Sequence, residues 1–229
     1  MPKRQSKFLI KQKIALGLFA LILVSIVSYL AIKTFEDAPL GEFVEGEHYQ
    51  LIENPRRIRA NKIEIMEFFS YGCIHCFNFV PILFKWVESK KDTINFVRTP
   101  AIASDYWRVL GRAYITLDQM GILENHHMAT FRAIHQARRD LSNPADLFDF
   151  FEENGVDRKT FESTYRSSQV SNAMMRADDI GRRFKIASVP TIVVQGKYLV
   201  RTNRSVGQNR MLEVLDYLVS LEKPSADEN

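Results

Sequence analysis

The chain contains 229 residues, carries a formal net charge of +4 and has two cysteines. Two cysteines exclude a small domain stapled by several disulfides, and the roughly 185 residues after position 43 are enough for one self-sufficient core. Five cations in the first 13 residues carry +5, so the remaining residues have a net charge of −1. The basic excess is therefore confined to the N-terminus and does not indicate a nucleic-acid-binding surface.

Residues 14–32 contain no charged side chain and are mostly Leu, Ile, Val, Ala and Phe. A helix of that length measures about 28 Å, close to the ~30 Å thickness of a hydrocarbon core. The exit from Tyr29 to Phe35 offers no good small-x-small cleavage pair. We interpret this stretch as a retained transmembrane signal anchor, with a cleaved signal peptide as the alternative. The preceding cations predict a cytoplasmic N-terminus and an exported remainder.

The first half of the exported part alternates strand and helix patterns. We predict a short edge strand over 49–52, a central strand over Ile63–Phe69, a helix from Cys73 to about Ser89 and a strand over 93–97. Pro81 is expected to kink the helix. Its inward face is predicted to contain Phe77, Val80, Leu83, Phe84 and Val87.

Helical patterns then continue without strand signals over about 105–120, 124–138, 144–154, 157–168 and 170–184. A hairpin over 191–194 and 197–200 and a helix over 208–221 close the domain. This order predicts an α/β, thioredoxin-like fold with an inserted all-helical domain, preceded by one transmembrane helix. The predicted units are a basic cytoplasmic segment (1–13), the anchor (14–32), a linker (33–43), a thioredoxin-like domain (44–100 and 186–221), the helical insert (101–185) and a disordered tail (222–229).

Cys73 and Cys76 enclose Ile74 and His75 directly after the central strand. A strand that delivers Cys-x-x-Cys to a helix start is typical of a thioredoxin-like redox site. The helix N-terminus favours thiolate, the reactive form, because it offers free N–H groups and partial positive charge. Half of a zinc site and two inert buried thiols are the alternatives. The other histidines (His48, His126, His127 and His135) show no complementary ligand spacing, and the His126-His127 pair is predicted to lie on the surface.

Three further residues belong to the predicted site. His75 between the cysteines favours a Cys73 thiolate, and a stabilised thiolate makes the disulfide a stronger oxidant, at about 30 mV per pKa unit. Glu67 in the apolar strand either faces solvent or is a buried carboxyl behind Cys76 with a raised pKa. The Val189-Pro190 step opens the strand over 191–194, and we predict a cis bond there beside the dithiol. Five large aromatic residues are predicted to lie in the core: Phe68, Phe69, Phe77, Trp86 and Trp107.

Four features together resemble the DsbA family of bacterial thiol:disulfide oxidoreductases over residues 43–221. They are the run from Glu67 to Cys76, the Val189-Pro190 step, the helical insert and the segment from Phe43 to Tyr49. The resemblance implies that Cys73 is the substrate-linked cysteine, Cys76 its resolving partner, His75 the tuner, Glu67 the buried acid and Val189-Pro190 the substrate-contact loop. It implies no cofactor and no metal.

The same resemblance implies a protein disulfide oxidase that acts on reduced exported proteins. A membrane quinone reductase of the DsbB type would reoxidise it. The chain would be a single-pass protein of the bacterial inner membrane, with its catalytic domain facing the periplasm. A membrane-anchored reductase or isomerase, or a thiol-based metal-binding module, are the alternatives. Ile74 departs from the Pro-His dipeptide usual in the family, and the anchor departs from its many soluble members.

Overall fold

The computed structural model describes residue 13 and residues 16–29, 43–58 and 60–222. The chain divides into two compact units, Met1–Glu42 and Phe43–Asn229. In the first unit, residues 16–29 are helical and exposed. Both ends of the predicted anchor (14–15 and 30–32), linker residues 33–42 and tail residues 223–229 lie outside the described residues.

No helix within the described ranges combines the length and the apolar character needed to cross a membrane.

The second unit is built on a five-stranded sheet with strand order β1-β5-β4-β2-β3. Central strand β2 pairs in parallel with β3 and antiparallel with β4. The predicted strands are confirmed, although β3 runs on to Pro100, where an edge strand tolerates a missing N–H. The strands are β1 (Gln50–Leu51), β2 (Ile63–Phe69), β3 (Ile94–Pro100), β4 (Thr191–Val194) and β5 (Tyr198–Arg201).

Seven helices accompany the sheet in the described part of this unit, and the predicted helical block between β3 and β4 is confirmed. Side chains of Ser104, Asn143, Asp157 and Ser167 accept hydrogen bonds at the N-termini of four of the block's helices, which explains where those helices begin. The helices are α1 (Ile74–Lys90), α2 (Asp105–Gln119), α3 (Leu123–His135), α4 (Pro144–Glu153), α5 (Arg158–Tyr165), α6 (Ser168–Arg183) and α7 (Gln208–Glu222).

Two hydrophobic clusters cover the two faces of the sheet. One face packs on α1 and α7, with Ile65, Leu83 and Leu215 at its centre. The other joins Met66 and Phe68 of β2 to the helical insert. Strand β2 is therefore buried on both sides, as its nearly continuous apolar sequence requires, and its C-terminal end is held firmly where the Cys-x-x-Cys segment begins.

The buried face of α1 differs from the predicted one. The helix buries Cys76, Phe79, Val80, Leu83 and Trp86, and it continues through Pro81. The prediction for Phe84 was wrong, because this side chain is 54% exposed. The apolar residues of α1 occupy more than one face, so their spacing alone did not show which face packs on the sheet.

The aromatic core predictions are partly confirmed. Phe68, Phe69 and Trp86 are buried, whereas Phe77 and Trp107 are only partly buried against the core. Both of these half-buried rings lie near the Cys-x-x-Cys segment. These two rings therefore belong to the surface around that segment and not to the centre of the core.

The structure also places two residues of predicted flanking segments in the folded unit. Phe43, from the predicted linker, is buried, and the Arg210 guanidinium lies over its ring. Glu222, from the predicted tail, is the last residue of α7 and forms an ion pair with Lys197. Both Phe43 and Glu222 therefore belong to the folded unit, one residue beyond the predicted bounds.

Candidate redox-active site

Cys73 is the N-cap residue of α1 and stands where β2 has just ended. Its extended backbone (φ −101°, ψ 114°) directs the Sγ atom at the helix start, where the Cys76 N–H donates to it over 3.4 Å. The turn before it is closed by the Cys73 N–H, which donates to the Ser70 carbonyl over 3.0 Å. The thiol thus takes the place that Ser, Thr, Asp or Asn side chains commonly fill at helix N-termini.

This environment lowers the pKa of Cys73 from about 9 to about 6. The largest cause is the hydrogen bond from the Cys76 thiol; burial opposes it, while the N–H groups of Cys76 and His75 and the charge of His75 add to it. At pH 7 a group with such a pKa is roughly nine-tenths ionised. This low pKa agrees in direction with the thiolate predicted at Cys73, and Cys76 contributes more to it than His75.

Cys76 is fully buried, and its environment is the opposite of that of Cys73. Burial raises the pKa of Cys76, and the hydrogen bond and negative charge of Cys73 and the carboxylate of Glu67 raise it further. Cys76 therefore holds its proton and donates it toward Cys73. Both cysteines are free thiols, and the arrangement favours one reactive, accessible sulfur and one protected sulfur.

The Val189-Pro190 step lies directly against the reactive sulfur. The peptide bond is cis, as predicted, and Cys73 Sγ lies 3.4 Å from the Val189 carbonyl oxygen, to which the thiol donates when it carries its proton. A cavity of about 220 Å³ opens beside Val189, with Ile102 and Trp107 in its wall and Lys185 among its lining residues. This places a backbone carbonyl and a partly apolar recess within reach of a polypeptide bound at Cys73.

Glu67 is buried, and the solvent-facing alternative for this residue is wrong. It is 1% exposed, and its Oε2 accepts from Arg98 Nε over 2.8 Å, while its Oε1 has no hydrogen-bond partner among the described residues. Burial raises the pKa of Glu67, and the Arg98 guanidinium opposes that rise. Sequence reasoning missed Arg98, which is the β3 residue in register with Glu67. A lone cation directly after the predicted strand over 93–97 was the available signal.

His75 and Ile74 lie on the exposed first turn of α1. The His75 carbonyl accepts from Gln208 Nε2 over 2.7 Å, which ties this turn to α7. Ile74 is 45% exposed, so an apolar side chain stands beside the reactive thiol at the surface. The first turn is therefore fixed at its backbone while both intervening side chains remain available to a partner.

The prediction of a surface position was wrong for His127, which is 5% exposed. Its Nδ1 lies 2.9 Å from the Tyr71 phenol oxygen. Burial lowers the pKa of His127 to about 3, with a smaller contribution from the charge of Arg98. The surface position was predicted because His126 and Glu124 make the start of α3 polar, whereas His127 faces the aromatic cluster around Phe69 and Phe131.

Among the described residues, no group of three or more His, Cys, Asp or Glu side chains is arranged to hold a metal ion. Cys73 and Cys76 instead contact each other, the helix start and the Val189 carbonyl. These contacts suit thiol–disulfide exchange, in which a thiolate attacks or leaves while its partner cysteine stays protected.

Comparisons with known proteins agree with this chemistry. A family model described as a DSBA-like thioredoxin domain matches residues 101–219. The chain is 34% identical over 190 residues to the thiol:disulfide interchange protein DsbA of Pseudomonas aeruginosa, covering 82% of this chain and 90% of that one. It is 33% identical over 177 residues to the DsbA of Azotobacter vinelandii, covering 76% of this chain and 83% of the relative.

Solved structures show the same similarity. The crystal structure of Pseudomonas aeruginosa DsbA superposes with a TM-score of 0.75 at 35% identity, over 79% of this chain and 94% of that one. The oxidoreductase DsbA from Xylella fastidiosa gives a TM-score of 0.73 at 32% identity, over 79% and 97% of the two chains. The similarity therefore extends over both the sheet and the helical insert.

Proposed function

The chain belongs to the DsbA-like thioredoxin family and is a thiol:disulfide oxidoreductase, and from this premise we propose that it acts as an oxidase that introduces disulfide bonds into exported proteins. The observation that carries the proposal is the position of Cys73 Sγ at the start of α1, where its pKa falls to about 6. A sulfur that is stable as an anion is a good leaving group, so a disulfide made with it passes readily to another protein.

The reaction begins with the Cys73–Cys76 disulfide. A client thiolate attacks Cys73 Sγ, the bond to Cys76 breaks, and Cys76 leaves with the electron pair and takes up a proton. A second client thiolate then attacks the client sulfur of the mixed disulfide and expels Cys73 as thiolate. The client gains one disulfide, and the Cys73–Cys76 pair is left reduced by two electrons.

The neighbouring residues have roles in these two steps. Glu67 is buried and raises the pKa of Cys76 through its charge, and it supplies or accepts the proton that Cys76 exchanges. His75 stabilises the Cys73 anion through its backbone N–H and its charge. Val189 and Pro190 form the loop against which the client segment lies, with the Val189 carbonyl as its acceptor. Ile74 and the recess beside Val189 offer apolar contact to that segment.

The proposal includes a location and a reoxidant. The uncharged run over residues 14–32, with five cations before it, supports a single-pass protein of the bacterial inner membrane whose catalytic domain faces the periplasm. Reduced Cys73–Cys76 would there be reoxidised by a membrane quinone reductase of the DsbB type. The electrons then pass from client thiols through the dithiol to a quinone.

Paired cysteine variants test the exchange mechanism. A reduced client protein with two cysteines is mixed with the oxidised wild type, with Cys73→Ser or with Cys76→Ser. Disulfide formation in the client is monitored by alkylating its remaining free thiols and measuring its mass. The wild type should oxidise one client per molecule, and Cys73→Ser should be inactive. Cys76→Ser cannot form an internal disulfide. When it carries a mixed disulfide on Cys73, it should still pass that disulfide bond to a client thiol. Wild-type rates from Cys73→Ser would contradict the proposal.

The direction of electron flow needs a separate measurement. In growing cells, alkylation of free thiols should find the Cys73–Cys76 pair mostly oxidised, because an oxidase is kept as a disulfide between turnovers. A pair found mostly reduced would show instead a reductase or isomerase supplied by an electron donor.

A further inference from the structure

The last residue of α3, His135, contacts the Cys-x-x-Cys segment at two points. Its Nε2 lies 2.8 Å from the Tyr71 carbonyl oxygen, and its ring stacks on Phe77 with centroids 5.5 Å apart and planes 17° apart. A carbonyl oxygen can only accept a hydrogen bond, so Nε2 carries the hydrogen and donates it. This contact joins the helical insert to the chain on both sides of the dithiol.

The two residues that His135 contacts flank the Cys-x-x-Cys segment in the sequence. Tyr71 is two residues before Cys73, and Phe77 directly follows Cys76. Tyr71 is 1% exposed, and the hydrogen bond from His135 satisfies its carbonyl. Without that donor, a buried acceptor would be left unpaired, and the Tyr71–Gly72 peptide would be free to rotate toward another partner.

The same peptide also lies close to α2 at Gly72. A Cβ added at Gly72 would lie 2.7 Å from Tyr106 Cε1 and 3.2 Å from Trp107 Nε1. Gly72 is therefore required for the close approach of these rings. His135 is the contact that fixes this peptide on the side of α3.

We propose that His135 is a positioning residue of the helical insert, which fixes the Tyr71–Gly72 peptide and thereby holds Cys73 Sγ against the N–H groups at the start of α1. The inference deepens the proposed function and rests on it, because it assigns the insert a part in setting the reactivity of the same thiol. His135 acts through the backbone of the turn and touches no client.

A matched pair of variants separates the hydrogen bond from the packing. His135→Phe keeps a flat ring against Phe77 and removes the donor, whereas His135→Gln keeps an N–H donor and removes the ring. Neither variant carries a charge, so a shift that appears in His135→Phe but not in His135→Gln follows the loss of the donor rather than the loss of the ring. His126→Gln serves as the control for the loss of a histidine from α3, because the His126 ring contacts Phe151.

The readouts are the ultraviolet absorbance of the Cys73 thiolate against pH and the equilibrium of the dithiol with glutathione. We expect His135→Phe to raise the pKa of Cys73 by about one unit and to make the disulfide about tenfold less oxidising. His135→Gln and His126→Gln should stay within about threefold of wild type. If His135→Phe does not fold, His135→Met removes the donor with a flexible apolar side chain and is judged by the same two readouts.

Each outcome has one meaning. A donor-less variant that is less stable but keeps the wild-type thiol titration and glutathione equilibrium overturns the proposal, because His135 then only supports the fold. Equal shifts in His135→Phe and His135→Gln also overturn it, since the donor would not matter. A wild-type Cys73 that titrates like an ordinary thiol contradicts the proposed function itself, and that result is visible before any variant is made.

Discussion

The two sulfurs of the site differ in exposure and in the charge state that their surroundings favour. Cys73 is partly exposed and Cys76 is buried, and the hydrogen bond from the Cys76 thiol is the largest cause of the low pKa of Cys73. The anion on one sulfur is therefore stabilised by the proton on the other. In the proposed mechanism, this is why attack and departure take place at Cys73.

Replacing Cys76 tests that cause. Cys76→Ala removes the donor, so the pKa of Cys73 should rise from about 6 by roughly one unit or more. Cys76→Ser keeps an O–H donor of similar size and should raise it less. Thiolate absorbance against pH gives both values, and an alanine variant that titrates like wild type would show that the helix N-terminus suffices without Cys76.

At the scale of single residues, the sequence indicated the chemistry but not every partner. The Cys-x-x-Cys spacing pointed to Cys73 and Cys76. The apolar strand around Glu67 left two interpretations of this residue, a buried carboxyl and a solvent-facing one. Arg98 was missed because the pairing of Glu67 with Arg98 depends on the register between β2 and β3. That register is a tertiary property which neither strand's own sequence contains.

Within α1, the first helical position is filled by Ile74, with Cys73 already extended before it. Proline suits this position because its N–H is not needed there and its φ is preset, and an extended preceding residue is compatible with it. The N–H groups that lower the pKa of Cys73 come from His75 and Cys76. The geometry of the turn therefore does not require isoleucine.

We expect Ile74→Pro to increase the free energy of unfolding by about 0.4–1 kcal/mol, because it restricts the unfolded chain without straining the folded one. The pKa of Cys73 should stay near its wild-type value. Urea unfolding of Ile74→Pro beside Ile74→Ala makes the comparison, since both variants remove the exposed isoleucine side chain. A proline variant less stable than the alanine variant would contradict this account of the helix start.

In α3, the buried His127 makes stability depend on pH. Its pKa falls to about 3 in the folded protein, below about 6.5 in an unfolded chain. Between these values the unfolded state binds one more proton, so folding is stabilised at higher pH and loses up to about 1.4 kcal/mol per pH unit on acidification.

His127→Gln should remove this contribution. Unfolding free energies measured from pH 7 to pH 4 should fall less steeply in the variant than in wild type, although the variant starts lower because the Tyr71 phenol loses its partner. Parallel curves for the two proteins would show that the pKa of His127 is the same in the folded and unfolded states. The histidine pair in a polar-looking stretch is a case where helical periodicity, rather than composition, carried the correct signal.

For the molecule as a whole, the net charge differs in sign between the N-terminal segment and the rest of the chain. The first 13 residues carry +5 while the rest of the chain carries −1. Both hydrophobic clusters and the dithiol belong to the second unit, Phe43–Asn229. The order of strands and helices was predictable because each element has strong local periodicity, whereas the face that α1 buries depended on its packing against the sheet and α7.

The proposed membrane location leads to a direct prediction. The full chain should sediment with inner membranes and resist alkaline extraction, because residues 14–32 are long and apolar enough for a span if helical throughout. A version lacking residues 1–42 should be extracted as a soluble protein and oxidise a soluble client at the full-length rate. Release of the full chain from membranes at alkaline pH would contradict the anchor.

The equilibrium constant between the Cys73–Cys76 disulfide and glutathione tests the account most directly, because it measures how strongly the protein favours the state with the Cys73 anion. We predict a disulfide more oxidising than that of protein disulfide isomerase, with a reduction potential above about −180 mV. A potential near that of thioredoxin, about −270 mV, would contradict it.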